Sequence, residues 1–287
     1  MTAATDTATG SGLVEPGLVE PAQVEAFQRD GAICLRGVFK QWIAPLQRGV
    51  EANMTEPGDY GSENTTPGEP GRFFDDYCNW QRIPEFKRFV HDSDAAPIAA
   101  EVMGSRTAQF FHDHVLVKEP GTRKQTPWHQ DIPYYCVDGR QTVSFWMPLD
   151  PVPRETSLRI VKGSHRWDKL VRPVAWLTDA DFYQADDDYM DLPDVDAEPG
   201  RYEILSWALQ PGDAVAFSFH AVHGAAGNPT GERRRAFSHR WLGDDVRFVE
   251  RRGRTSPPYP GIDQKTGERL RQDWFPVLWP HDGAAAG

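Results

Sequence analysis

Residues 211–242 read PGDAVAFSFHAVHGAAGNPTGERRRAFSHRWL. Gly212-Asp213 marks a turn, and the apolar run that follows leads to His223-Gly224. A stretch rich in Gly, Pro and Asn then turns the chain into a second β-type run, Ala236–Leu242. The same texture reaches back to Thr107. Gln109–Lys118, Thr142–Leu149, Leu158–Val161, Tyr202–Trp207 and Ala214–Phe219 are short runs of β-forming residues broken by turns. Short strands at this spacing, without helical patterns between them, predict a mainly β domain, a sandwich or a barrel.

Before Thr107 the pattern is helical. PAQVEAFQRDG predicts a short helix from Pro21 that stops at Gly31, followed by a strand over Ala32–Leu35. Helical spacing recurs over residues 41–53 and about 93–103, the second opened by Ser93 or Asp94 and closed by Gly104. Residues 1–20 are small and polar, with LVEP at 13–16 and again at 18–21, and are expected to form a disordered tail. Residues 21–287 are expected to form a single domain. Two stretches, 56–80 and 178–200, read as long loops near the functional site. The second carries Asp179, Asp181, Asp186, Asp187, Asp188, Asp191, Asp194 and Asp196, without the central glycine and spacing of a calcium loop.

Bulk properties narrow the class. A net charge of −11 opposes nucleic-acid and anionic-membrane partners, which select positive surfaces. No run of about 18 apolar residues exists to span a bilayer. The three cysteines, Cys34, Cys78 and Cys136, are far apart and form no CxxC pair, so a reducing, cytoplasmic setting is expected. The N-terminus shows no basic region followed by an apolar stretch, and no export signal is expected.

The chemistry is carried by Trp128-His129-Gln130-Asp131. On a strand, residues two apart share a face, so His129 and Asp131 can grip one ion. A histidine from a distant strand, His223, completes two histidines and one carboxylate. That set occupies one face of iron(II) and leaves the other open for oxygen and a cosubstrate. Eleven residues beyond His223 lies Arg234, with Ala236 and Ser238 alternating on its side. An arginine fork binds a carboxylate in bidentate fashion, and a serine hydroxyl adds a third hydrogen bond. One small acid, 2-oxoglutarate, would then bridge metal and arginine. His220 is a rival ligand, but the eleven-residue spacing from it ends on Gly231. Arg233 and Arg235 should point away from Arg234.

Together these segments resemble the phytanoyl-CoA dioxygenase family of iron(II), 2-oxoglutarate oxygenases, from about Val24 to Asp244. The likeness rests on HDHVLVKEPGT at 112–122, TPWHQDIPYY at 126–135, VSFWMPLD at 143–150, LRIVKGSH at 158–165, GDAVAF at 212–217, HGAAGN at 223–228 and RRAFS at 234–238. The resemblance implies a double-stranded β-helix (jelly-roll) core with flanking helices. It implies His129, Asp131 and His223 as iron ligands, Arg234 as the 2-oxoglutarate anchor, and His114 and Trp146 as further cosubstrate contacts. On the strand itself, His112, His114, Leu116 and Lys118 share one face, either inner or outer. Relatives often carry Glu-Asn-Gly before the strand at Leu158; here Arg154-Glu155-Thr156-Ser157 stands in its place. Halogenating relatives lack the carboxylate that Asp131 supplies, so hydroxylation of a small-molecule C–H bond is the expected reaction. Tyr134, Tyr135, Trp80 and His112 are the candidate substrate contacts. Two other classes fit the residues less fully: a cupin-like metal enzyme without 2-oxoglutarate, which would not need Arg234, and a non-catalytic binding protein.

Overall fold

Glycine ends two of the helices that carry the start of the chain. In chain order, α1 (Pro21–Asp30) leads to β1 (Ala32–Leu35), and α2 (Ile43–Thr55) leads to β2 (Ser62–Glu63) and β3 (Phe73–Tyr77). Two more helices, α3 (Pro84–Asp92) and α4 (Ala95–Met103), precede the long strand β4 (Ala108–Lys118) and β5 (Thr126–His129). Next come β6 (Val137–Asp138), β7 (Thr142–Pro148) and β8 (Leu158–Val161), then the short β9 (Leu170–Val171), β10 (Tyr189–Met190) and β11 (Ile204–Leu205). The last strands are β12 (Ala214–Phe217), β13 (His223–Ala225), β14 (Arg234–Leu242), β15 (Arg247–Phe248) and β16 (Val277–Trp279). Gly31 (φ 85°) and Gly104 (φ 64°) take the left-handed conformation that closes α1 and α4.

This computed structural model describes residues 17–65, 68–175, 180–182, 188–198 and 200–280. Residues 1–16 of the expected tail lie outside the described residues. The end of that tail is part of the fold. Val19 is buried in the core, and the N–H groups of Leu18 and Val19 donate to the Glu101 carboxylate. No helix among the described residues is long and apolar enough to cross a membrane.

Two antiparallel sheets face each other as a double-stranded β-helix. The larger runs β1-β12-β7-β14-β4-β3-β2, with β16 also on β4, and the smaller runs β11-β8-β13-β5. Alternation along the central strands sorts side chains into two layers. Phe145, Met147, Phe237 and Trp241 point outward, where Phe39, Phe86 and Phe89 from the helical side cover them. Trp146, Ala236, Phe217, Leu158 and Ile160 point inward, between the sheets.

The inner face of the larger sheet is a ladder across β4, β14 and β7. Lys118 pairs with Arg234, Leu116 with Ala236 and Pro148, His114 with Ser238 and Trp146, and His112 with Arg240 and Ser144. The question left open for β4 is thus resolved: His112, His114 and Lys118 are on the inner side and buried. A bulge beyond His112 sets Phe111 outside the pairing, so Phe110 joins the outward layer.

Several elements differ from the sequence expectation, among them the short strands β6, β9, β10, β15 and β16. Helix α3 and strand β3 were not anticipated, and the run at Tyr202–Trp207 pairs only over Ile204–Leu205. The stretch 56–80 is not simply a loop, because β2 and β3 extend the larger sheet at its edge. In the stretch 178–200, Asp179, Asp186 and Asp187 lie outside the described residues. Asp188 pairs with Arg252 at 3.5 Å, Asp191 with Arg172 at 3.2 Å, and Asp196 with Arg159 at 2.8 Å, all as exposed carboxylates.

Candidate active site

Adjacent strands of the smaller sheet set the two histidines face to face, since His223 at the start of β13 pairs with His129 at the end of β5. The chain then turns into a single 3-10 turn over Ile132–Tyr134, which brings Asp131 under both rings. Its backbone N–H donates to Phe219 O, fixing that turn against the β12–β13 connection. Gln130 ties the neighbouring chains: its amide donates to His220 O at 2.6 Å and its carbonyl accepts from Val171 N at 2.8 Å.

Both histidine rings are oriented by backbone. Nδ1 of His129 lies 2.8 Å from Pro127 O, and Nδ1 of His223 lies 2.9 Å from Ala221 O. A carbonyl only accepts, so each Nδ1 carries the proton and each Nε2 presents a lone pair. Both Nε2 atoms face Asp131 Oδ1, at 3.6 and 3.8 Å. The three donor atoms lie within 4.8 Å of one another, and all three residues are buried. One divalent ion at about 2.1 Å from each donor spans such a set.

The electrostatics agree with that fit. Burial, reinforced by His129, pushes the His223 imidazole down to about 3, so it is neutral at physiological pH. Burial by itself raises the Asp131 carboxyl, but Arg240 and the two histidines outweigh it and hold the group ionised. Its second oxygen is tied back: Ser144 Oγ donates to Oδ2 at 2.9 Å and Arg240 Nε at 3.3 Å. Only Oδ1 is left toward the histidines. Arg240 was missed at the sequence level, although the alternation Arg234, Ala236, Ser238 continues to it.

Two cavities meet at this triad. A wide one of about 410 Å³ is lined by His129 and Asp131 together with His112, Tyr134, Tyr135 and Arg240. A narrow one, between the sheets, is lined by His129, His223, Thr126, Trp146, Ser238 and Leu116. His114 and Arg240 border both. Ser238 Oγ donates to Phe145 O at 2.9 Å, so a bond to a carboxylate requires the hydroxyl to turn.

Arg234 lies buried at the Lys118 end of the ladder. Its guanidinium donates to the carbonyls of Thr156, Gly227 and Ala226, and among the described residues it meets no carboxylate. Thr156 belongs to the Arg154–Thr156 turn that replaces the family's Glu-Asn-Gly. Lys118 donates to Thr126 Oγ1 at 3.2 Å and to the same Ala226 O at 3.1 Å. Two buried basic side chains thus share one acceptor, with no acid beside them among the described residues. Burial pulls Arg234 down to about 10; burial, then Arg234 and Lys124, pull Lys118 well below the usual lysine range. By contrast, Arg233 ends on Glu51 and Glu119, and Arg235 on Asp150 and Glu51, away from the cavity.

The model of the phytanoyl-CoA dioxygenase (PhyH) family matches residues 27–236. The chain belongs to this family. It is 24% identical, over 74% of its own length and 69% of the other chain, to the multifunctional dioxygenase prhA of Penicillium brasilianum. Its fold matches the alpha-ketoglutarate-dependent carbocyclase SnoK from nogalamycin biosynthesis with a TM-score of 0.71 at 18% identity, covering 91% and 97% of the two chains. It also matches EctD from S. alaskensis, solved with 2-oxoglutarate and 5-hydroxyectoine, with a TM-score of 0.66 at 21% identity over 91% and 88%.

Of the other residues singled out from the sequence, Tyr134, Tyr135 and His112 line the wide cavity, whereas Trp80 does not. Its ring packs on Phe110 and His91 in the core beneath the helices, and its backbone N–H donates to Asp113. His220 is not part of the metal-binding group, and burial pushes its imidazole down to about 4. From the stretch 56–80, Tyr60, Ser62, Asn64, Asp75 and Tyr77 reach the cavity wall, joined by Phe182 from the acidic stretch.

Proposed function

We propose that this dioxygenase uses iron(II) held by His129, Asp131 and His223, with 2-oxoglutarate between the sheets, where the narrow cavity of about 30 Å³ must widen to admit it, to oxidise a C–H bond of a small molecule in the wide one. The observation that carries the proposal is the meeting of three metal-donor atoms with two cavities; Thr126 in the wall of the narrow one accepts from Lys118, next to Arg234, and among the described residues neither of these side chains has a carboxylate partner. An uncompensated buried charge is costly, and a ligand carboxylate supplies what the protein withholds. Arg234 would take the distal carboxylate, with Lys118 beside it, and His114, Trp146 and Ser238 would flank the cosubstrate. The anion-binding solved relatives support the assignment, since SnoN is described in complex with Fe3+, alpha ketoglutarate and nogalamycin RO.

Iron(II) and 2-oxoglutarate supply the oxidising chemistry: O2 inserts one atom into the substrate C–H bond and the other into succinate, with release of CO2. The chain's own residues do the placing. Pro127 and Ala221 carbonyls hold the imidazoles in the ligating tautomer. Ser144 and Arg240 hold Asp131 so that one oxygen is offered, which keeps positions free for cosubstrate and oxygen. Aromatic walls exclude water around the reacting carbon. Because Asp131 is present, hydroxylation is the favoured outcome.

Anaerobic titration of the metal-free protein with iron(II), then 2-oxoglutarate, tests this. A weak visible metal-to-ligand charge-transfer band is expected, and Arg234→Ala should abolish it or shift it to far higher cosubstrate concentration. Bound iron without a band would overturn the assignment and favour a cupin-like enzyme; no metal binding would favour a non-catalytic protein.

A further inference from the structure

The wide cavity carries a specification for what enters it. Its walls are aromatic: Tyr60 and Tyr77 stack at 4.8 Å and 10°, and Tyr134 and Phe182 meet edge-on at 5.2 Å. Such faces accept flat rings. Among the described lining residues the one cation is Arg240, already engaged by Asp131. The remaining polar groups are mutually satisfied in part. Asp75 accepts from Asn64 at 2.5 Å and meets His114 Nε2 at 2.8 Å, and the Tyr77 and Ser256 hydroxyls are paired at 3.2 Å.

His112 is different. It lines the cavity at 2% exposure, and among the described residues its Nε2 has no hydrogen-bond partner. Nδ1 lies 3.1 Å from Asp113 O, so Nδ1 carries the proton and Nε2 is a bare lone pair. Burial and the neighbouring Arg240 keep the ring neutral. A buried acceptor left unpaired is unfavourable, and in a cavity wall it selects a ligand that donates. A carboxylate or phosphate brings only acceptors to a wall that has Asp75, this lone pair and, among the described residues, no spare cation.

We propose that the substrate is an uncharged ring-bearing alcohol or phenol that donates its O–H to His112 Nε2, rather than a free acid or an acyl-CoA. This rests on the assignment of the metal site above, because His129 and Asp131 form part of the same wall.

The test uses one ring system in three forms: 2-naphthol, 2-methoxynaphthalene and 2-naphthoate. Each is equilibrated by anaerobic dialysis against the protein loaded with iron(II) and 2-oxoglutarate, and bound probe is measured directly. Expected is 2-naphthol bound about tenfold more tightly than the methyl ether, the scale of one hydrogen bond to a buried acceptor, with the naphthoate weakest. His112→Phe should bring 2-naphthol down to the level of the ether; His112→Leu serves if the Phe variant does not fold. Naphthoate binding as well as naphthol, a preference that survives loss of His112, or no binding of any probe at millimolar concentration would each overturn the inference. The visible charge-transfer band, recorded in the same samples, reports the cosubstrate assignment separately.

Discussion

Replacing Lys118 by methionine should make the protein more stable and its cosubstrate weaker bound. Methionine keeps the length of the side chain and its contact with Phe73, over whose ring the ammonium lies at 4.3 Å. What disappears is a cation that shares the Ala226 carbonyl with Arg234 and has Thr126 Oγ1 as its other partner. Burying this amine costs about 1–3 kcal/mol, whether it keeps its charge or gives up its proton; of its two acceptors only Thr126 Oγ1 loses its donor, at about 1 kcal/mol, since Arg234 still serves the Ala226 carbonyl. The net is a gain of about 1 kcal/mol, or a rise of about 2 °C in the melting temperature of the cosubstrate-free protein.

Binding should move the other way. A charge-assisted hydrogen bond to the distal carboxylate contributes about 1.5–3 kcal/mol, so 2-oxoglutarate affinity should fall about 10- to 100-fold. A proton linkage accompanies it. Folding lowers the Lys118 pKa, favouring the neutral amine, and a bound carboxylate raises it again, so binding takes up a proton. Wild-type affinity should therefore weaken as pH rises through the depressed pKa, and the Lys118→Met profile should be flatter. Differential scanning fluorimetry and anaerobic calorimetry in two buffers of different ionisation enthalpy measure both effects. A variant that melts lower while binding 2-oxoglutarate normally would refute the reasoning and make Lys118 a packing residue.

Ser144→Ala and Arg240→Met each remove one of the two donors that hold Asp131 Oδ2, and iron(II) affinity should drop about 10- to 100-fold by equilibrium dialysis, with partial recovery in Arg240→Lys. The metal-free protein should be acid-labile: burial depresses His223 to about 3 and His220 to about 4, and His112 and His239 well below normal. These lowered pKa values favour neutral rings, so stability is full above about pH 6.5 and is lost as pH falls toward the folded values. The unfolded chain then binds up to about four more protons, a limiting slope of about 5 kcal/mol per pH unit that acid titration of the folded fraction will test. Away from the site, Phe237→Ala should cost about 3–5 kcal/mol in urea unfolding, because its fully buried ring packs on Phe86 at 4.6 Å and Phe89 at 5.5 Å.

The long central strands were legible because alternation is written into β4, β7 and β14, with one face apolar and the other polar or mixed. Strand β3, FFDDY, was not, since two adjacent acids oppose a buried strand. They are tolerated because Asp75 is met by Asn64 and His114, and Asp76 by Asn53 and the Gly58 N–H, partners that only the fold brings near. Helix α3 did leave a signal: Pro84 in the first turn and Phe86, Phe89 and Val90 on one side. At the site, the grouping of His129, Asp131 and His223 was legible from their spacing, but strand parity is not what joins them: β5 ends at His129, and Asp131 reaches the histidines from the start of a 3-10 turn. Trp80 misled because a tryptophan between segments carries no parity to say which way it faces. Lys118 was read as one of four residues sharing a face, but that it would sit against Arg234 depends on the register of β4 with β14, which a single sequence does not state.

That register also acts as a ruler. Arg234, Ser238 and Arg240 stand on one strand hydrogen-bonded on both sides, and such a strand advances about 3.4 Å per residue with no means to stretch. The separation between the backbone positions of Arg234 and of Arg240, which holds the Asp131 carboxylate, is therefore fixed by residue count. On the proposed assignment of Arg234 as anchor, an oxo-diacid one methylene shorter or longer than 2-oxoglutarate would meet either the anchor or the metal out of reach, and chain-length discrimination would be built into the sheet itself.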